Sequence, residues 1–125
     1  MTQEEKSLLL QDLCARLPYH PIVSVAYNYL GKGIVWNFDV LRIKLLLEIE
    51  ENESWEYIKP YLRPMSSMTE EEYEEYCYLN ECTHLDDGTE VPCVAHINYL
   101  LKNHFDFIGL IPKGLALEAP NGMYN

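Results

Sequence analysis

The residues with the most chemistry in them are Cys77, Cys82, His84, Cys93 and His96. Cys77-x₄-Cys82 and Cys93-x₂-His96 are spaced so that each pair can face one metal across an intervening loop, and three thiolates with one imidazole make a zinc set. Neither pair is the tight Cys-x₂-Cys knuckle, and Cys77 has a packing role open to it beside Tyr73. Cys77, Cys82, Cys93 and His96 therefore stand as a candidate metal set. Buried or idle thiols account for the same residues better, and no cofactor is expected. Cys93 and His96, one helical turn apart, also have the types of a nucleophile and its base. No sequence signal supplies an oxyanion hole or an orienting third residue, so a small thiol enzyme ranks last among the readings. His104 before Phe105-Asp106 fits a helix C-terminus contacting free carbonyls better than a catalytic pair. Glu70, Glu71, Glu72, Glu74 and Glu75 read as a solvated helix face. They lack the glycine-bent ligand loop of a calcium site, and Asp86-Asp87-Gly88-Thr89 reads as a turn. Phosphate-cradling glycine loops and Gly-x-Ser-x-Gly elbows are absent from the chain.

What remains is contact chemistry. Ten tyrosines and two tryptophans are generous for a chain of 125 residues; supplying the bulk of a small core is their first use, and outward presentation from a twisted sheet the second. Such side chains anchor protein interfaces. Trp36, Trp55, Tyr57, Tyr61 and Arg63 are the candidate interaction residues.

The elements that must position them follow from periodicity. Thr2 and Glu5 form a capping box, and Leu9, Leu10, Leu13 and Leu17 predict an N-terminal helix over 3–17 that packs its stripe on a sheet. From Ile22 the period becomes two. Val23, Val25, Tyr27 and Tyr29 alternate with Ser24, Ala26 and Asn28; Ile34, Trp36, Phe38 and Val40 alternate with Val35, Asn37 and Asp39 after Gly31-Lys32-Gly33, which reads as a hairpin turn. Leu41, Ile43, Leu45, Leu47 and Ile49 continue the alternation, and Trp55–Ile58 reads as a last strand. Pro60 and Pro64 are expected to stop it. The leucines, tyrosines and tryptophans are assigned to one sheet face and the charges to the other. Thr69 and Glu72 form a second capping box that starts a helix running to about Leu79. Asn80–Val91 reads as a loop, Cys93–Asn103 as a third helix, and 105–125 as an extended tail with mobile last residues. The fold class is thus α+β in a single domain: a four-stranded antiparallel meander or SH3-like small barrel over about 22–58, an N-terminal helix, and two C-terminal helices.

Three stretches carry a resemblance. Lys59–Glu72 (KPYLRPMSSMTEEE), Leu8–Tyr19 (LLLQDLCARLPY) and His104–Pro120 (HFDFIGLIPKGLALEAP) with the Gly-Met-Tyr tail resemble a family of small proteins without an assigned activity from anaerobic gut bacteria and their phages and mobile elements. The resemblance implies an accessory protein of such an element and brings no catalytic residue with it.

Composition bounds the partners. A net charge of −11 opposes direct binding to nucleic acid or anionic lipid. It suits a basic protein partner. An apolar content of 48% supports a real core. No run of about 18 apolar residues is present to span a membrane, and the acidic start lacks the pattern of a secretory signal, so a cytoplasmic location and reduced thiols, Cys14 included, are expected. The leading functional expectation is a non-enzymatic protein-binding or accessory domain. An acidic mimic of nucleic acid that occupies a DNA-binding protein is the alternative.

Overall fold

A computed structural model describes residues 1–28, 34–81 and 95–124. Helix α1 (Gln3–Arg16) starts at the expected capping box: Glu5 N–H donates to Thr2 Oγ1 at 3.1 Å and Thr2 N–H to the Glu5 carboxylate at 3.1 Å. A 3₁₀ turn at Leu17–Tyr19, containing Pro18, follows it. Strands β1 (Ile22–Asn28) and β2 (Ile34–Val40) pair antiparallel with Val23 opposite Asp39 and Val25 opposite Asn37.

The chain then departs from the expected meander. Residues 43–51 form helix α2 (Ile43–Glu51), not a third strand. Leu41 and, within the helix, Leu45, Leu46 and Ile49 are buried, whereas Ile43 and Leu47 are exposed. Ile49 lies three and four residues after Leu46 and Leu45, the spacing of one helix face. The expected last strand at Trp55–Ile58 is a 3₁₀ turn at Trp55–Tyr57 leading into β3 (Ile58–Pro64), which runs through both prolines. Strand parity explains why Pro60 is tolerated. Leu41 N–H donates to Pro21 O at 2.9 Å on the β1–β2 side, so the odd residues of β1 direct their backbone groups to β2. Val23, opposite Pro60, asks nothing of the missing N–H.

Beyond β3 the pairing is parallel. Strand β4 (Phe105–Asp106) pairs with Arg63–Pro64, and β5 (Leu117–Glu118) pairs with Tyr61–Leu62. The sheet is therefore mixed, in the order β2-β1-β3-β4 with β5 also on β3. Helices α3 (Glu70–Glu81) and α4 (Ala95–Lys102) stand close to their expected places. Thr69 and Glu72 again form a reciprocal capping box, at 3.0 and 3.2 Å.

Among the described residues two apolar clusters hold the layers. Leu9 and Leu13 of α1 meet Val23, Val25, Leu41, Leu45, Leu46, Ile49, Trp55 and Ile58; Leu62 packs with Leu110, Leu115 and Ala116. Each buried aliphatic side chain contributes about 1.5–3 kcal/mol. Arg16 is fully buried between α1 and β4. Its Nε donates to Asp12 Oδ2 at 2.8 Å and its Nη2 to Phe105 O at 2.7 Å, with the Phe107 ring 5.6 Å away. The tail is tied down as well. Ile22 N–H donates to the Tyr124 hydroxyl at 2.9 Å, and that hydroxyl donates to Tyr61 O at 2.6 Å. Continuing the β1–β3 register would place Ile22 opposite Tyr61. The phenol thus stands where the next ladder bond would be.

Candidate functional site

The hairpin register decides which face of the sheet is wet. Because Val23 and Val25 sit opposite Asp39 and Asn37, the β1 valines enter the core while Trp36, Phe38 and Val40 point the other way. A register one residue different would reverse this. Trp36 is 45% exposed, Phe38 69% and Val40 41%. Opposite them on β1 stand the small residues Ala26 and Ser24. Lys59 of β3 is opposite Ser24, and the Tyr61 ring, two residues on, lies 5.4 Å from the Phe38 ring. An aromatic patch therefore crosses three strands on the side of the sheet away from α1 and α2. Assigning the tryptophans to a core-facing side is corrected for Trp36.

The candidate interaction residues divide. Trp36 and Tyr61 share the outer face, and Tyr57 is exposed on the 3₁₀ turn before β3. Trp55 is 5% exposed inside the core. Arg63 makes a bidentate pair with Glu72 at 2.8 and 2.7 Å, and its guanidinium lies 4.2 Å over the Phe105 ring. Phe38 and Val40 belong to the patch and were not among the candidates. Their even-numbered alternation with Trp36 was the available signal.

A concavity of about 510 Å³ lies between the β3 end, the α3 start and the tail, and is lined by Arg63, Ser67, Glu72, Asn121 and Tyr124 among others. Its polar groups are largely engaged with each other. Ser67 Oγ donates to Pro64 O at 2.7 Å, Glu72 both caps α3 and holds Arg63, and Tyr124 bonds the sheet. The His104 ring stacks on Tyr124 at 3.7 Å, and Asp106 accepts from Leu110 and Ile111 N–H at 2.8 and 2.9 Å. Those bonds commit Asp106 to shaping the 106–111 loop.

Two of these groups make stability depend on pH. Burial, with Arg16 and Arg63 near, pulls His104 down from 6.5 to about 4. The Arg63 hydrogen bonds pull Glu72 from 4.5 to about 2. For His104 the unfolded chain takes a proton below 6.5 that the folded chain refuses until about 4, so stability is whole above that window and falls through it on acidification. For Glu72 the loss runs from 4.5 down to about 2. Allowing for solvent screening of both partly exposed groups, each step is worth about 1 kcal/mol. Urea midpoints measured against pH are expected to lose the upper step in His104→Gln and the lower step in Glu72→Gln. Unchanged profiles would contradict the assignment.

Of the candidate metal set, Cys77 is half-buried one helical turn from Tyr73, and the His96 ring meets Tyr76 edge-on at 6.2 Å. Cys82, His84 and Cys93 lie outside the described residues, as does the turn at 86–89. Among the described residues no three His, Cys, Asp or Glu side chains are grouped to hold a metal, and no helix is long and apolar enough to cross a membrane. Compared with protein-family models, curated proteins and solved structures, the chain matches none.

Proposed function

We propose that the chain is a non-enzymatic protein-binding domain that presents the outer face of β2, β1 and β3 to a partner with a basic surface. The observation that carries this reading is the exposure of Trp36, Phe38 and Val40 side by side, continued by Tyr61. Apolar residues scattered singly on a surface need no explanation, but a contiguous aromatic patch does. The basic character of the partner rests on the net charge of −11, which draws cationic surfaces and repels anionic ones. On the resemblance of its Lys59–Glu72 stretch, the partner is to be sought in a gut anaerobe carrying a mobile element or phage.

The test is cross-linking capture from such a host with the wild-type chain and with Phe38→Ser in parallel. The partner is expected to be retained by the wild type and lost from the variant, since an interface anchor of this kind is worth about 2 kcal/mol or more, roughly 30-fold in affinity. Its retention should weaken as salt rises. If both chains retain the same proteins, this face is not the contact.

A further inference from the structure

The outer edge of β2 carries a second message, independent of what sits on the sheet face. β2 is the terminal strand in the order β2-β1-β3-β4. Its odd residues bond to β1, as the Leu41 N–H bond to Pro21 O fixes, so Ile34, Trp36, Phe38 and Val40 direct their backbone groups to an edge that no strand among the described residues covers. One of these is already taken. Val40 N–H donates to Asp39 Oδ1 at 2.8 Å, and Arg42 Nη2 holds the same oxygen at 2.8 Å. Asp39 therefore closes the edge at Val40 and leaves a usable stretch from Ile34 to Phe38, with Trp36 at its centre. Edge strands that must stay single are blunted by lysine, proline or inward charge. This stretch, Ile-Val-Trp-Asn-Phe, has none of them.

We propose that the occupant of this edge is a second copy of the same chain, paired antiparallel about a two-fold axis at Trp36. That register sets Trp36 opposite its own copy and Phe38 opposite position 34, and each outward N–H meets an outward carbonyl. It leaves the Asp39-capped Val40 out of the ladder. Self-complementarity selects this occupant: one register serves both strands and sets the two Trp36 residues opposite each other. The contact stretch is neutral, so nothing in it calls for a cation, and aromatic cross-strand pairs stabilise it. Two five-residue strands cover well under the roughly 800 Å² per partner of a standard interface, and each chain carries −11. The dimer is accordingly weak, and raised salt strengthens it by screening the repulsion between copies. Pairing at the edge leaves the outer face open and doubles its width.

Sedimentation velocity on the purified chain tests this. The weight-average mass is expected to climb from 14.6 kDa toward twice that value as concentration rises, and to climb at lower concentration when salt is added. Trp36→Lys, which brings two cations together at the axis, and Phe38→Pro, which removes an outward donor without touching the β1 ladder, should both stay at the monomer mass. Circular dichroism should show each variant folded. A wild type that is monomeric at every concentration, or a dimer that survives both substitutions or weakens with salt, overturns the proposal. The partner-capture experiment is unaffected by either result, because monomer and dimer expose the same face.

Discussion

Arg16→Ala is expected to lower unfolding free energy by about 3–5 kcal/mol, because it strands a carboxylate inside the protein. For a chain of this size that corresponds to a fall in Tm of about 10–20 °C. Asp12 is 4% exposed, and burial pushes its carboxyl above the usual carboxylate range in spite of the adjacent guanidinium. The pair is half satisfied: Asp12 Oδ1 and Arg16 Nη1 are buried with no hydrogen-bond partner among the described residues. That asymmetry sets up the control. Removing both charges in Asp12→Leu/Arg16→Met takes away the desolvated ions together and keeps apolar bulk between α1 and β4, so the double variant should sit within about 1–2 kcal/mol of wild type. Urea denaturation of the two variants decides the matter. A double variant as unstable as the single one would mean that Arg16 acts chiefly through its bond to Phe105 O.

The buried pair was invisible in the sequence for a physical reason. An i, i+4 Asp–Arg pair on an amphipathic helix ordinarily faces water, and only the arrival of β4, 89 residues later, encloses it. The capping boxes at Thr2 and Thr69 were legible because every atom they need lies within four residues. Positions 41–49 were misread for the opposite reason. Leu45, Leu46 and Leu47 are all apolar, so the segment fits period two and period 3.6 alike, and the three-dimensional choice falls to which leucines find a core. Leu46, which interrupts the alternating pattern, was the residue that favoured helix. Pro60 misled because the rule against proline in strands concerns donors the ladder uses. Its place opposite Val23 uses none, and Tyr124 supplies the adjoining bond from the far end of the chain. The outer aromatic face was half legible. Alternation grouped Trp36, Phe38 and Val40 correctly, but the side they face depends on hairpin register, and residues 29–33, with the expected turn at Gly31-Lys32-Gly33, lie outside the described residues.

The two tryptophans convert that division into the second large expectation. Trp55→Ala should cost about 3–5 kcal/mol, since it empties a site enclosed by the cluster that joins Leu9 and Leu13 of α1 to Leu45, Leu46 and Ile49 of α2. Trp36→Ala should stay within about 0.5 kcal/mol, because its ring is 45% exposed and closes no core. The conservative variants give a spectroscopic check at high dilution, where chains are single. Trp36→Phe leaves only the Trp55 indole, whose emission should be blue-shifted and poorly quenched by acrylamide. Trp55→Phe leaves only Trp36, red-shifted and readily quenched. Reversed quenching would place Trp36 in the core and Trp55 on the surface. The register of Val23 opposite Asp39 would then be wrong by one residue, and with it both the aromatic face and the free edge centred on Trp36.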